Sequence, residues 1–216
     1  SRDALAYATR VIETELDSVT DNPLVFENGD IISGGNFHGQ PLALALDFAA
    51  MALAELASIS ERRTYLLLEG VDGLPRLLMR DTGVNSGFMI PQYTAAALVS
   101  ENKILCHPAS VDSIPTSLGQ EDHVSMGSIS ALKLLSVLHN VERVLAVEFL
   151  TAAQALDFRA PLKPGRGVDV AHRMLRKRIG HADHDYEVRN DLDVCTELLR
   201  TGELAGAVQG SIGKLD

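Results

Sequence analysis

Ile129, Leu132, Leu135, Leu138, Val141, Leu145, Phe149, Ala152 and Leu156 recur at spacings of three and four through residues 128–157. Only a helix brings such positions to one side, and roughly 30 residues at 1.5 Å each make a rod about 45 Å long. So long a helix predicts an extended bundle in which the rod also packs against copies of itself in other subunits. A second long helix is predicted from Pro41 to about Leu68. There Leu42, Ala45, Ala49, Leu53, Leu56 and Ala57 mark one side, and Leu44, Phe48, Met51 and Ala52 widen the apolar arc. An arc that wide predicts burial within a large bundle. Leu5, Ala8, Ile12 and Leu16 give a first helix, and a third runs from Pro91 to about Cys106, where Ala95, Ala96 and Ala97 let a neighbour approach closely. Shorter, more charged helices are predicted near 168–179 and 187–201.

The breaks between these segments carry their own signals. Asp21-Asn22-Pro23 ends the first helix, because the residue before proline is pushed out of the helical region. Val25-Phe26 and Ile31-Ile32 flank Glu27-Asn28-Gly29-Asp30, a hairpin pattern with Asn-Gly at its tip. Residues 74–87 read as irregular, with turn signals at Asp81-Thr82-Gly83 and Asn85-Ser86-Gly87. Pro161-Leu162-Lys163-Pro164-Gly165-Arg166-Gly167 has linker composition. The expected fold is therefore mainly α, a long-helix bundle with a short β-hairpin near residues 24–33. The expected organisation is a helical bundle over residues 1–160 and a smaller helical cap over 161–216.

Composition narrows the function classes. With 46% apolar and 22% charged residues the chain is of ordinary globular character, and 216 residues suffice for a substantial core. A net charge of −10 argues against a nucleic-acid surface, which needs clustered cations to neutralise phosphates. The one basic cluster, Arg173, Arg176, Lys177 and Arg178, reads as the solvated face of a helix. No uninterrupted apolar run reaches the roughly 20 residues of a bilayer span, so no membrane partner is expected. Cys106 and Cys195 lie in helical patterns, which fits unpaired thiols and a reducing, cytoplasmic setting. The chain enters helical periodicity directly at Ser1, the pattern expected of a piece of a longer protein.

Two loops concentrate the polar chemistry. In SLGQEDHVSMGS, residues 117–128, Gln120, Glu121, Asp122 and His123 lie between Gly119 and Gly127, ahead of the long helix. A helix start offers free N–H groups and partial positive charge, so an acid at its mouth stays ionised while facing a cleft. In Gly34-Gly35-Asn36-Phe37-His38-Gly39 a single aromatic ring stands among small residues. His181-Ala182-Asp183-His184-Asp185 has metal-ligand residue types but falls between helices without a further convergent set, so no metal is expected. His139, on the long helix, reads as an ordinary helix residue.

QEDHVSMG, taken with GGNFHGQPLA at 34–43 and SVTDNPLVF at 18–26, resembles the C-terminal half of the histidine ammonia-lyases, in the family of lyases that carry a methylidene-imidazolone (MIO) group. The likeness covers nearly all of residues 1–160. It implies the helical bundle shared with fumarase and aspartase, a homotetramer, and elimination of ammonia from L-histidine to give trans-urocanate. It also implies roles for two side chains. Phe37 matches the aromatic wall beside the prosthetic group, and Glu121 matches the acid facing the substrate, suited to an amine or an imidazole N–H. Asn36, Gln120 and His123 are the candidate supporting donors. Phenylalanine and tyrosine lyases of that family usually carry Gln where Glu121 stands, so they and the related aminomutases are the nearest alternatives. A noncatalytic helical assembly module is the alternative of another class. The family builds MIO from an Ala-Ser-Gly triplet, which occurs nowhere in these 216 residues. The base and the carboxylate-binding arginine of the family also belong to motifs before Ser1. The chain by itself is accordingly expected to be inactive.

Overall fold

The computed structural model describes residues 1–215. The order of elements is α1 (Arg2–Leu16), β1 (Leu24–Val25), β2 (Ile31–Ile32), α2 (Gln40–Leu68), α3 (Met89–Leu105), α4 (Gly127–Asp157), α5 (Arg166–Arg176), α6 (Arg189–Arg200) and α7 (Glu203–Ile212). The mainly helical prediction and the hairpin are both observed. β1 and β2 pair antiparallel with Leu24 opposite Ile32 and Val25 opposite Ile31, and Phe26 lies in the turn, its N–H bonded to Asp30 O at 3.0 Å. Helix α7 was not expected, because Gly206 and Gly210 interrupt its apolar pattern.

The long helices pack differently from the predicted stripes. On α4 Ser130, Val137, Val144, Ala146 and Thr151 are fully buried, whereas Ile129, Leu132 and Leu135 are about half exposed or more. On α2 the alanines 43, 45, 49, 50, 52 and 57 are buried, while Leu44, Phe48, Met51 and Ile59 are exposed. Much of the inward face is made of small side chains, although Glu61, Leu150 and Gln154 are buried as well. The reason is steric: a helix with a wide apolar arc approaches its neighbours most closely along its alanine, serine and valine line, where backbones can come near.

The chain forms two compact units. The first comprises residues Ser1–Leu56 and Asn102–Leu138, the second Ala57–Glu101 with the remainder from His139. In the first, Ala8 of α1 packs with Ala45 and Ala49 of α2, and Leu5, Val11 and Leu134 close around them. Asp47, 3% exposed, is compensated by the Ser110 N–H at 2.8 Å. Buried acid without such a donor would be strongly unfavourable.

The second unit holds the larger core. Leu68, Leu74, Leu78, Met79 and Phe88 cluster with Leu150 and Ala153 of α4, and Leu175 of α5, Ile179 just beyond it, and Cys195 and Leu198 of α6 complete the core. Burial pushes the Cys195 thiol up to about 12, and both cysteines are free. Gln154, almost wholly buried, bonds Leu78 O and Ala182 O through its amide nitrogen and takes the Ala182 N–H on its oxygen. Beside it the Asp157 carboxylate is held by Arg176 Nη2 at 2.6 Å, His172 Nε2 at 2.7 Å and His181 Nδ1 at 2.8 Å. His181 is thus a hydrogen-bond partner of Asp157, and Asp185 caps the Ser86 and Gly87 N–H groups, both at 2.7 Å. These contacts give His181 and Asp185 of the 181–185 loop a structural use.

Gly87 marks a tight point of this core. Its φ is +57°, and a Cβ there would lie 2.4 Å from Leu77 O and 2.9 Å from Met79 Cβ. Gly87→Ala is expected to cost about 2 kcal/mol or more. A urea midpoint equal to that of the unsubstituted chain would contradict this.

The sequence expectation for membranes needs one correction. Helix α2, over Gln40–Leu68, is long and apolar enough by length and composition to cross a membrane, although no uninterrupted apolar run is. Polar residues interrupt its sequence at Asp47, Ser60, Glu61 and Thr64, and all four are buried against protein. Ser60 and Glu61 donate to Glu148 and accept from Gln92, respectively.

Candidate active site

The glycine loop at 34–39 is fixed from its first residue. Gly34 N–H bonds to Asn22 Oδ1 at 2.9 Å, and a Cβ on Gly34 would meet Asp21 O at 2.3 Å. The Asp21-Asn22-Pro23 turn therefore presses directly on the loop, which explains why glycine stands there. Asn36 donates to Glu15 Oε1 of α1 at 3.2 Å. Beyond it, Phe37 is 40% exposed, and its ring stacks on His38 with centroids 4.2 Å apart and planes 30° apart.

The acidic loop is shaped by a turn that the sequence only partly announced. Thr116 and Glu121 exchange backbone hydrogen bonds, Thr116 N to Glu121 O at 3.0 Å and Glu121 N to Thr116 O at 3.3 Å. Between them Ser117, Leu118 and Gly119 have φ of 53°, 58° and 88°. Glycine enters that region without a Cβ penalty, whereas left-handed non-glycine residues such as Ser117 and Leu118 cost roughly 1 kcal/mol or more each. Glu121 is exposed, as are Gln120 and Asp122, and His123 is half-buried. The acid is not at the mouth of α4. Residues 122–126 separate it from the first helical residue, Gly127, and its backbone belongs to this closed turn instead.

The two loops meet. The His38 ring stands edge-on to His123 with centroids 5.1 Å apart and planes 88° apart. Ser125 Oγ donates to His38 O in a short hydrogen bond, and Val124 N–H bonds to Ser113 Oγ at 2.9 Å. Phe37, His38 and His123 thus form a line of three rings ending two residues from Glu121. Phe37 and His123 are joined in this way, whereas Asn36 is directed to α1 and Gln120 lies on the exposed turn. Sequence reasoning missed His38, Ser113 and Ser125. His38 lay within the glycine motif, but nothing in the spacing connects it to a residue 85 positions on.

Chemically, the cluster offers a half-exposed apolar ring and two imidazoles with neighbouring centroids 4.2 and 5.1 Å apart, and the exposed carboxylates of Glu121 and Asp122 stand on the same loop as His123. An exposed acid beside an aromatic surface suits a ligand with a planar ring and a donor or positive nitrogen. A separate cavity of about 660 Å³ lies in the second unit, bordered by Phe88, Arg143, Tyr186 and Arg189. None of the five sequence-predicted site residues lines it. Burial and, next, a hydrogen bond to Asp191 raise the Tyr186 phenol above its ordinary value.

Residues 1–177 match the sequence profile described as aromatic amino acid lyase. The chain belongs to that family. A histidine ammonia-lyase from Gloeobacter violaceus is 53% identical over the whole chain, which spans 43% of that relative's length. Among solved structures, the histidine ammonia-lyase of Trypanosoma cruzi superposes with a TM-score of 0.92 at 45% identity, over 96% of this chain and 42% of that one. Tyrosine aminomutase from Streptomyces globisporus superposes with a TM-score of 0.90 at 38% identity, over 97% of this chain and 40% of that one. Membership in the aromatic amino acid lyase family accounts for the long helices, the hairpin and the two loops together.

Proposed function

We propose that the protein to which this chain belongs eliminates ammonia from L-histidine to give trans-urocanate, with Glu121 facing the substrate. The observation that carries the reading is Glu121 itself. It is an exposed carboxylate on a loop tied by ring contacts to that of Phe37, in a chain 53% identical to a histidine ammonia-lyase. A carboxylate that a bound ligand covers gains most when the ligand brings a donor to it, and an imidazole N–H or ammonium is such a donor. A benzene ring is not.

The MIO group of this family is an electrophile that activates the substrate amine for departure. This chain has no Ala-Ser-Gly triplet to form it, so its contribution is one side of the pocket. The residues present fit that limited role. The exposed Phe37 ring is available as an apolar wall, and two residues before it a Cβ on Gly35 would meet nothing within 4 Å. Phe37 would exclude water, Glu121 would orient the nitrogen-bearing side chain, and His123 would hold the loops in register. Asn36, already bonded to Glu15, and Gln120 are the further donors of the proposed pocket.

The large apolar side chains left outward on α2 and α4, such as Phe48, Met51, Leu132 and Leu135, support a homo-oligomer, a tetramer in the family pattern. Two free thiols fit a cytoplasmic setting. The tyrosine aminomutase likeness favours one rival, action on phenylalanine or tyrosine. Ultraviolet absorbance with each amino acid and the full-length protein separates the two: histidine is expected to be turned over, and a preference for phenylalanine would overturn the assignment. The 216-residue chain alone is expected to form no urocanate, for want of the triplet. Measurable product from pure material would contradict that.

A further inference from the structure

We propose that His38 is a positioning residue for the reaction: its imidazole is the splint that fixes the Phe37 wall relative to the loop bearing Glu121. The inference rests on the reading of Glu121 and Phe37 as pocket groups, and it adds a residue outside that set. His38 touches both loops in three ways. Its ring stacks on Phe37 at 4.2 Å, its ring meets His123 at 5.1 Å, and its carbonyl accepts from Ser125 Oγ.

The surroundings show why such a splint is needed. Phe37 is 40% exposed, so packing alone does not fix its ring. The acidic loop is held at its base by the Thr116–Glu121 pair, yet Leu118 at its tip is fully exposed and Glu121 and Gln120 are exposed too. Gly39, at φ +70°, lets the chain turn away directly after His38, so the imidazole stays between the loops as the backbone enters α2. The contact is one of ring faces and edges. Stacked and edge-to-face pairs are each favourable by about 0.5–1.5 kcal/mol and are strongly directional. Two in series therefore tie the orientation of the Phe37 ring to that of the His123 ring through the imidazole between them. A wall and an acid that drift apart by about 1 Å lower a rate by as much as a hundredfold.

Three variants of the full-length enzyme test this, each assayed with whichever aromatic amino acid the unsubstituted enzyme prefers. His38→Ala removes the ring. His38→Phe keeps a ring of similar reach without nitrogen, and His38→Gln keeps a polar group without a ring. The expected result is a tens-fold to hundredfold fall in kcat, with KM changed less, for His38→Ala and His38→Gln. His38→Phe should stay within about threefold of the unsubstituted enzyme, since ring packing is what it preserves. Combining His38→Ala with His123→Ala should cost clearly less than the product of the two single effects, because both break one contact. Strictly multiplicative effects, a harmless His38→Ala, or a His38→Phe as damaged as His38→Ala would each overturn the proposal. Because the assay follows the preferred substrate, a preference for phenylalanine would refute the histidine assignment while leaving this test in force. If His38→Ala fails to fold, the contrast between His38→Phe and His38→Gln decides alone.

Discussion

Replacing Glu121 by Gln in the full-length protein is expected to lower kcat/KM for L-histidine about a hundredfold, with little change in thermal stability. A hydrogen bond to a charged group contributes about 1.5–3 kcal/mol, and about 1.4 kcal/mol corresponds to a factor of ten. Glutamine has nearly the same shape, so the loss isolates the charge. Stability should hold because Glu121 anchors its loop through the backbone, by the exchange with Thr116, and not through the exposed side chain. A reduced penalty against uncharged aromatic side chains should accompany the loss, since the variant no longer buries an unpaired acid against them. Turnover of histidine at near-normal rate would remove Glu121 from the pocket.

The second large effect concerns stability. Asp157→Ala is expected to destabilise the protein by about 2 kcal/mol, allowing for partial solvent exposure of the cluster, and to lower Tm by about 4–8 °C. The substitution strands Arg176, which is 15% exposed and already has an unpartnered Nε, together with the two imidazoles that converge on the same carboxylate. Burial alone would raise the Asp157 carboxyl. Hydrogen bonds from Arg176, His181 and His172 outweigh it and hold the group below its usual value. A depressed carboxyl pKa means stability that is present in full above the unfolded value, near pH 4, and is lost as pH falls further. Asp157→Asn should therefore lose stability at neutral pH and show a shallower decline below about pH 4 than the unsubstituted chain. Parallel acid denaturation curves for the two would show that the cluster contributes nothing in that window.

The elements were more legible than their packing. The three-and-four spacing announced α4 because apolar residues keep that period along almost all of its 31 residues. The same richness hid which side is buried, since an arc containing both Val137 and Leu138 satisfies the pattern in two phases. Size decides between them: Val137 fits where helices of the chain come close, and Leu138 is left outward. Helix α7 went unseen for the opposite reason, with two glycines diluting the signal.

At the site, residue types were readable and relations were not. Gly119 predicts a left-handed turn, but nothing about Ser117 or Leu118 does; they adopt positive φ because Thr116 and Glu121 close the turn around them. Phe37 and His123 belong to motifs of the aromatic amino acid lyase family, whereas the ring that joins them, His38, becomes evident only when two distant segments meet. Asn36 likewise has an evident amide, and only the folded chain directs it toward Glu15.

The most direct test is the ratio of kcat/KM for L-histidine to that for L-phenylalanine, measured on the full-length enzyme and its Glu121→Gln variant. Recognition of a nitrogen-bearing ring by the carboxylate predicts a ratio far above one that falls by tens-fold or more in the variant. A ratio below one for the unsubstituted enzyme, or one that the substitution leaves unchanged, would contradict it.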